Sequence, residues 1–206
     1  MVHGTAGVVL AGGRSSRMGQ PKAELEWHGS TLLRRTLGVL ARSVDGPLLV
    51  VRAAGQPLPQ LPAQVEIVED PEQGLGPLQG IAAGLAALAG RAQAAFVCST
   101  DLPFLHPAFV RRVLSALTDE FDVVLPVARG YPQPLAAAYR VTLAPLITDL
   151  IAAGDRRPAF LFRHHWSVDD LIVWDERSTV HLAPTDFQPR RRRLIRVAAG
   201  TTVPSR

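Results

Sequence analysis

Four short, almost purely apolar runs recur in the first half of the chain: residues 7–11 (GVVLA), 47–52 (PLLVVR), 65–68 (VEIV) and 94–99 (AAFVCS). Each ends in a polar or glycine-rich turn. A strand that does not alternate apolar with polar residues has no wet face, so a sheet built from such strands must be covered on both sides. The intervening segments change period. Thr31 stands where it can cap a helix whose apolar positions are Leu33, Leu37, Leu40 and Val44, and Leu78, Ile81, Leu85 and Leu88 line up on another. Residues 53–64, with three prolines, form a loop. Further on, Pro103 and Pro107 precede a helix with Val110, Val113, Leu114 and Leu117 on one side. Residues 122–127 (DVVLPV) and 133–140 (QPLAAAYR), joined through ARGYP, read as two strands. Residues 142–153 read as a helix with Leu143, Ile147 and Leu150 inward, and residues 171–174 (LIVW) as a last strand. Strands alternating with helices predict βαβ units with right-handed crossovers, hence an α/β fold of three layers around a mainly parallel central sheet. In such sheets ligands bind beyond the carboxyl ends of the strands.

Composition narrows the setting. The chain has 206 residues, 47% of them hydrophobic, enough for one domain with a sizeable core. No run of about 18 uncharged apolar residues predicts a membrane span. The opening MVHGTAGVVLAGG has neither a basic nor a long apolar segment, so no secretory signal is expected. The single cysteine, Cys98, cannot form an internal disulfide, which suits the cytoplasm. The net charge of +4 is concentrated at one end, because residues 188–206 carry six arginines and no acid. The remaining body is close to neutral. The expected organisation is one domain over residues 1–187 followed by a basic tail over 188–206. Such a tail reads as a solvated end, with a nucleic-acid or membrane-surface tether as the alternative; no nucleic-acid partner is expected for the body.

Lys22 is the only lysine, and asparagine is absent altogether. Both facts fit a GC-rich coding background in which arginine supplies positive charge wherever any cation suffices. A lysine that persists marks a place where a compact charge on a flexible stem differs from a wide planar fork. It lies in the stretch LAGGRSSRMGQPK, residues 10–22. There the first strand ends at Ala11, and Gly12 and Gly13 let the chain turn while leaving backbone N–H groups uncovered, the makings of an anion nest. Arg14, Arg17 and Lys22 follow within ten residues, so three cations converge on whatever the nest holds. A polyphosphate fits. The stretch contains neither a Walker A loop nor a dinucleotide-binding fingerprint.

LAGGRSSRMGQPK matches the pattern LAGGxSxRMGxxK throughout and resembles the signature of nucleotidyltransferases of the molybdenum cofactor guanylyltransferase (MobA) family. The resemblance extends over about residues 7–186. It implies a Rossmann-like nucleotidyltransferase fold and a loop that embraces the triphosphate of an NTP. Lys22 would contact phosphates and Arg17 would offset charge as pyrophosphate leaves. Thr100-Asp101-Leu102-Pro103 follows the strand 94–99 and matches the family's TDxP context, in which the aspartate binds Mg²⁺. Asp101 read on its own could equally cap the next helix. Asp70 stands before GLGPLQGI, which is similar to a family segment near the nucleoside; taken alone it could be a turn residue before Pro71. The resemblance thus implies catalytic roles for Arg17, Lys22 and Asp101. Nucleotide binding would fall to Leu10, Ala11, Gly12, Gly13, Lys22, Arg52, Asp70, Gly76 and Asp101, with Asp101 as the metal ligand. Gln133, Pro134, Leu135 and residues 154–157 (GDRR) fall on the acceptor side, where Arg156 or Arg157 would meet a phosphate.

The implied reaction is GMP transfer from GTP to a molybdopterin-type acceptor in the cytoplasm, with Mg²⁺ as cofactor. Two alternatives stay open: a cytidylyltransferase or other small-molecule nucleotidyltransferase of the same superfamily, and a non-catalytic nucleotide-binding adaptor whose basic tail is the working part. The chain departs from the family twice. Arg52 stands where members often carry Asn, and residues 180–184 (VHLAP) replace an NxNTP segment. Either these roles have moved to Arg52 and His181 or activity is altered. The intact loop beside Asp101 speaks against an eroded enzyme. His164, His165 and His181 have no zinc-ligand spacing with Cys98, and no histidine neighbours Ser99 or Cys98 to activate them, so neither zinc nor acyl chemistry is expected.

Overall fold

A computed structural model of the chain describes residues 4–12, 22–70, 76–128 and 131–154, with the side chains of Lys22 and Trp27 outside the description. These residues form strands β1 (Thr5–Leu10), β2 (Leu48–Ala53), β3 (Val65–Asp70), β4 (Ala94–Ser99), β5 (Val123–Val124) and β6 (Ala136–Arg140). The helices are α1 (Leu32–Ala41), α2 (Pro77–Ala87), α3 (Pro107–Ser115) and α4 (Ala144–Ala152). The sheet order is β3-β2-β1-β4-β6-β5. Strands β3, β2, β1 and β4 are mutually parallel. β6 runs against both β4 and β5, which makes it the reversed strand among those described. The mainly parallel α/β sheet expected from the sequence is therefore present.

Every residue of β1 is buried, and successive side chains enter opposite cores. Val9, Val50, Phe96 and Cys98 pack with Leu33, Leu37 and Leu40 of α1 and Val110 and Leu114 of α3. Val8, Leu49, Val51, Val97 and Tyr139 pack with Ile81 and Leu85 of α2 and Ile147 of α4. Helices cover both faces, giving the three layers and accounting for strands without polar alternation. On the α2 side the layers approach closely. A Cβ added at Gly84 would lie 2.7 Å from Val8 Cγ1, so only a residue without a side chain fits there.

Local signals placed most boundaries. The Thr31 hydroxyl caps α1 by accepting from the Arg34 amide at 3.3 Å. Val44 falls beyond that helix, although it still packs on the core. Three expected elements are shorter than their apolar patterns. Of residues 122–127 only Val123 and Val124 join the sheet. Pro126 has no N–H for the ladder, and its carbonyl instead accepts from the Gln133 amide at 2.8 Å, at the base of a hairpin pairing Val127–Ala128 with Tyr131–Pro132. The strand expected from residue 133 starts at Ala136, after a turn in which the Ala136 amide donates to the Gln133 carbonyl at 3.1 Å. The helix expected from residue 142 begins as a 3₁₀ turn, Val141–Leu143, and becomes α-helical at Ala144, with Ile147 buried and Leu150 half-buried. Residues 171–174 lie outside the described residues, as does the expected boundary at 187. No described helix is long and apolar enough to cross a membrane.

Candidate functional site

The four parallel strands end side by side, and the segments that leave these ends form the candidate site. Leu10 pairs with Val51 on one side and with Ser99 on the other. Two residues beyond those partners stand Gly12, Ala53 and Asp101, so the glycine turn after β1 and the aspartate after β4 leave adjacent strands at the same level. Leu10 and Ala11 are buried, and both backbone polar groups of Ala11 are hydrogen-bonded within the protein, whereas Gly12 is exposed. Gly13 and Arg17 lie outside the described residues, as do Arg14, residues 155–157 and His181. Lys22 opens a 3₁₀ turn, Lys22–Glu24, that leads into the Glu26–Trp27 hairpin.

Asp101 is exposed, with the buried Thr100 anchoring the chain just before it. The Ser99 hydroxyl donates to Asp101 Oδ1, and Arg35 of α1 holds the following segment by donating from Nε to the Pro103 carbonyl at 3.3 Å. Asp101 does not cap α3. That helix starts six residues later, and His106 Nδ1 accepts from the Ala108 amide at 3.1 Å. Asp70 is the last residue of β3, half-buried and paired in register with Ala53, and residues 71–75 after it lie outside the described residues. Gly76 is exposed at the start of α2 with φ of 84°, a conformation that favours glycine, and Pro77 follows in the first turn.

The β1–β2 edge is tied by Ala11 and Arg52 together with Gln56, which the sequence did not single out. The Ala11 amide donates to the Val51 carbonyl at 2.8 Å. Beyond it Gln56 enters: Nε2 donates to the Ala11 carbonyl at 2.9 Å, and Oε1 accepts from the Ala53 amide at 3.2 Å. Arg52 donates from Nη1 to the Gln56 carbonyl at 2.8 Å and from Nη2 to Glu69 Oε1 at 2.9 Å. Among the described residues its Nε, which is buried, has no partner. Gln56, Arg35, Ser99 as a partner of Asp101, and His106 all act through neighbours distant in sequence or through backbone geometry, which no spacing pattern signals.

Cys98 is fully buried, and burial pushes its thiol well above the usual range, with the nearby Asp101 charge adding to the shift. It is not poised as a nucleophile. Among the described residues no three His, Cys, Asp or Glu side chains gather into a metal cluster. A single exposed carboxylate at a strand end suits a hard cation that takes one or two carboxylates and completes its shell with water and substrate phosphates, so the donor set fits magnesium. A cavity of about 260 Å³ lined by Ser30, Arg34, Leu37 and Val65 adjoins the amino ends of β2 and β3, away from these groups.

Known proteins share both this sequence and this architecture. Residues 7–169 match the family model of the MobA-like NTP transferase domain. A Mycobacterium ulcerans protein named "Probable molybdenum cofactor guanylyltransferase" is 42% identical over 160 residues, covering 76% of this chain and 78% of that protein. A Mycobacterium tuberculosis protein of the same name is 41% identical with the same coverage. Among solved structures, the molybdopterin-guanine dinucleotide biosynthesis protein A of Archaeoglobus fulgidus superposes with a TM-score of 0.57 at 24% identity, over 74% of this chain and 75% of that one. This last likeness concerns the fold.

Proposed function

The chain belongs to the MobA-like NTP transferase family, and from that membership we propose that it transfers GMP from GTP to a phosphate of molybdopterin, releasing pyrophosphate in a Mg²⁺-dependent, cytoplasmic reaction. The names of its mycobacterial relatives support the acceptor and the nucleotide. The observation that carries the reading is the placement of Asp101 beside the Gly12 turn, on neighbouring strands at the ligand-binding edge of the sheet.

A phosphate oxygen of the acceptor attacks the α-phosphorus of GTP. The new P–O bond forms as the bond from that phosphorus to the bridging oxygen of the β-phosphate breaks, and the electron pair leaves with pyrophosphate. The chain's own part is to position the reactants and balance charge, with no covalent intermediate. The backbone amides from Gly12 onward would face the phosphates, with Gly13 continuing the turn; the Ala11 amide is already bound to the Val51 carbonyl. Lys22 and Arg17 would balance charge on the β and γ groups. Asp70 and Gly76 would stand by the nucleoside. Asp101 would hold Mg²⁺, which when bound supplies charge stabilisation at the phosphate oxygens. The Ser99 and Arg35 contacts fix the direction in which Asp101 points.

The test is pyrophosphate release on mixing the protein with Mg²⁺, GTP and molybdopterin, together with thermal-shift measurements against GTP, CTP, ATP and UTP. Release confined to GTP and a selective GTP shift are expected. Selective stabilisation by CTP would overturn the base assignment, and binding without pyrophosphate release would overturn catalysis.

A further inference from the structure

We propose that Gln56 is a positioning residue for the nucleotide's phosphate turn, its carboxamide replacing the last backbone rung between β1 and β2 and fixing where the chain leaves the sheet at Gly12. The inference rests on the nucleotide-binding reading above and adds a residue to it.

In a parallel pair each residue donates to one neighbour of its partner and accepts from the other. Ala11 makes the first of these bonds, to the Val51 carbonyl. The second would run from the Ala53 amide to the Ala11 carbonyl. Instead the Gln56 side chain stands between the two groups, giving a hydrogen to Ala11 and taking one from Ala53. The ladder is thereby continued by one side-chain amide in place of a direct bond, at the residue before Gly12.

The position of Gln56 is itself prepared. Its amide donates to the Ala53 carbonyl at 3.0 Å, closing a turn in which Gly55 has φ of 69°. Arg52 holds its carbonyl from the other side. Among the described residues, the charged groups around it are Arg52, Glu69 bound to Arg52, and Asp70 on β3 opposite Ala53.

The rung requires a donor and an acceptor on one short planar group, which a carboxamide offers and an ionised carboxylate does not. A glutamate there would accept from Ala53 but oppose the Ala11 carbonyl with a second lone pair. Once protonated it would donate again.

The experiment compares wild type, Gln56→Met and Gln56→Glu by titration calorimetry with GTP and Mg²⁺ at pH 8 and pH 5, beside the melting temperature of each ligand-free protein. Gln56→Met should bind GTP about tenfold or more weakly at both pH values, the scale of one lost buried hydrogen bond. Gln56→Glu should match that loss at pH 8 and regain most of it at pH 5, each ratio taken against wild type at the same pH. Unperturbed binding by Gln56→Glu at pH 8, or an equal deficit at both pH values, would overturn the proposal, and this holds even if Gln56→Met fails to fold. Absence of GTP binding by wild type would instead refute the functional reading, so the two failures are told apart within one data set.

Discussion

Replacing Gly84 by alanine should destabilise the protein, while the same replacement at Gly38 should stabilise it. Both glycines lie inside helices, Gly84 in α2 and Gly38 in α1. In each, alanine removes backbone entropy from the unfolded chain and improves helix propensity, a gain of about 0.5–1 kcal/mol. Tertiary surroundings decide the sign. At Gly38 the new Cβ would meet only the end of the Arg42 side chain, 3.7 Å away, which can swing aside. The helix gain is kept. At Gly84 the Cβ would stand 2.7 Å from Val8 Cγ1 and 3.2 Å from Val51 Cγ2. The first distance is about 1 Å inside the favourable carbon–carbon separation. Val8 is fully buried on the central strand, and its branched side chain has few rotamers, so α2 must lift from the sheet. Overpacking of this kind costs about 1–3 kcal/mol. Subtracting the helix gain leaves a net loss of up to about 2 kcal/mol, or a Tm lower by some 2–8 °C for a domain of this size. Gly38→Ala should raise Tm by about 1–4 °C on the same scale. Thermal and urea unfolding of the three proteins, with unchanged m-values, would measure both effects. A Gly84→Ala protein as stable as wild type would show that α2 does not need its close seat on β1, and the packing argument would fail.

The site makes its own predictions. Asp101→Ala and Lys22→Ala should each lower the rate of pyrophosphate release by about 10²–10³-fold while leaving the far-UV spectrum and Tm nearly unchanged; parental turnover in either would remove the role assigned to that residue. At the opposite end of the sheet, Asp45 accepts from the Thr5 hydroxyl and amide, both at 2.7 Å, and these bonds hold its carboxyl below the usual range. A carboxyl depressed in the folded state contributes stability above its unfolded pKa of about 3.9 that is lost as pH falls through its folded value. Asp45→Ala should therefore flatten the acid limb of stability against pH, and a limb as steep as the parent's would show that the bonds contribute nothing. Cys98, buried and with its thiol pushed up, should resist a disulfide reagent such as Ellman's in native buffer and react promptly in denaturant; rapid native labelling would contradict its burial.

The central strands were legible because burial on both faces writes itself as an uninterrupted apolar run, whereas the edge strand β3 is half-buried or exposed throughout. AAFVCS became β4 at its expected limits, and VEIV extended only by the two acidic residues that follow it. Helices were legible from period and, for α1, from Thr31 as cap. Legibility failed where proline overrode an apolar pattern. DVVLPV looks like one strand, but Pro126 ends its pairing and sends the chain into a hairpin. In the site, Asp101 and Asp70 each had two readings in the sequence. The fold removed the helix-capping reading of Asp101, since His106 caps α3, and placed Asp70 at the end of a strand. Gln56 was not legible at all. Its importance comes from reaching the Ala11 carbonyl, 45 residues away in sequence, and a lone glutamine in a proline-rich loop carries no sign of that reach.

Arg52 clarifies how the positive charge at the edge is divided. The sequence offered it as a nucleotide-binding cation in the place where relatives often carry asparagine. In the fold its two terminal nitrogens engage Glu69 and the Gln56 carbonyl. A guanidinium already paired with a carboxylate adds little attraction for a triphosphate, because the field of the pair falls off far faster than that of a lone charge. Asp70 and Asp101 bring further negative charge to the same edge. A nucleoside triphosphate can settle there only against positive charge supplied from elsewhere. The nearest supply in sequence is the run after Gly12, with Arg14, Arg17 and Lys22, and a divalent cation on Asp101 is the other. On the proposed function the labour would divide physically: Arg52 and Gln56 would shape the turn, and the cations beyond it, with the metal, would hold the phosphates. On this reasoning neutralising Arg52 should act on nucleotide affinity through the geometry of Gln56, with a shallow salt dependence, whereas neutralising Lys22 should change the salt dependence itself.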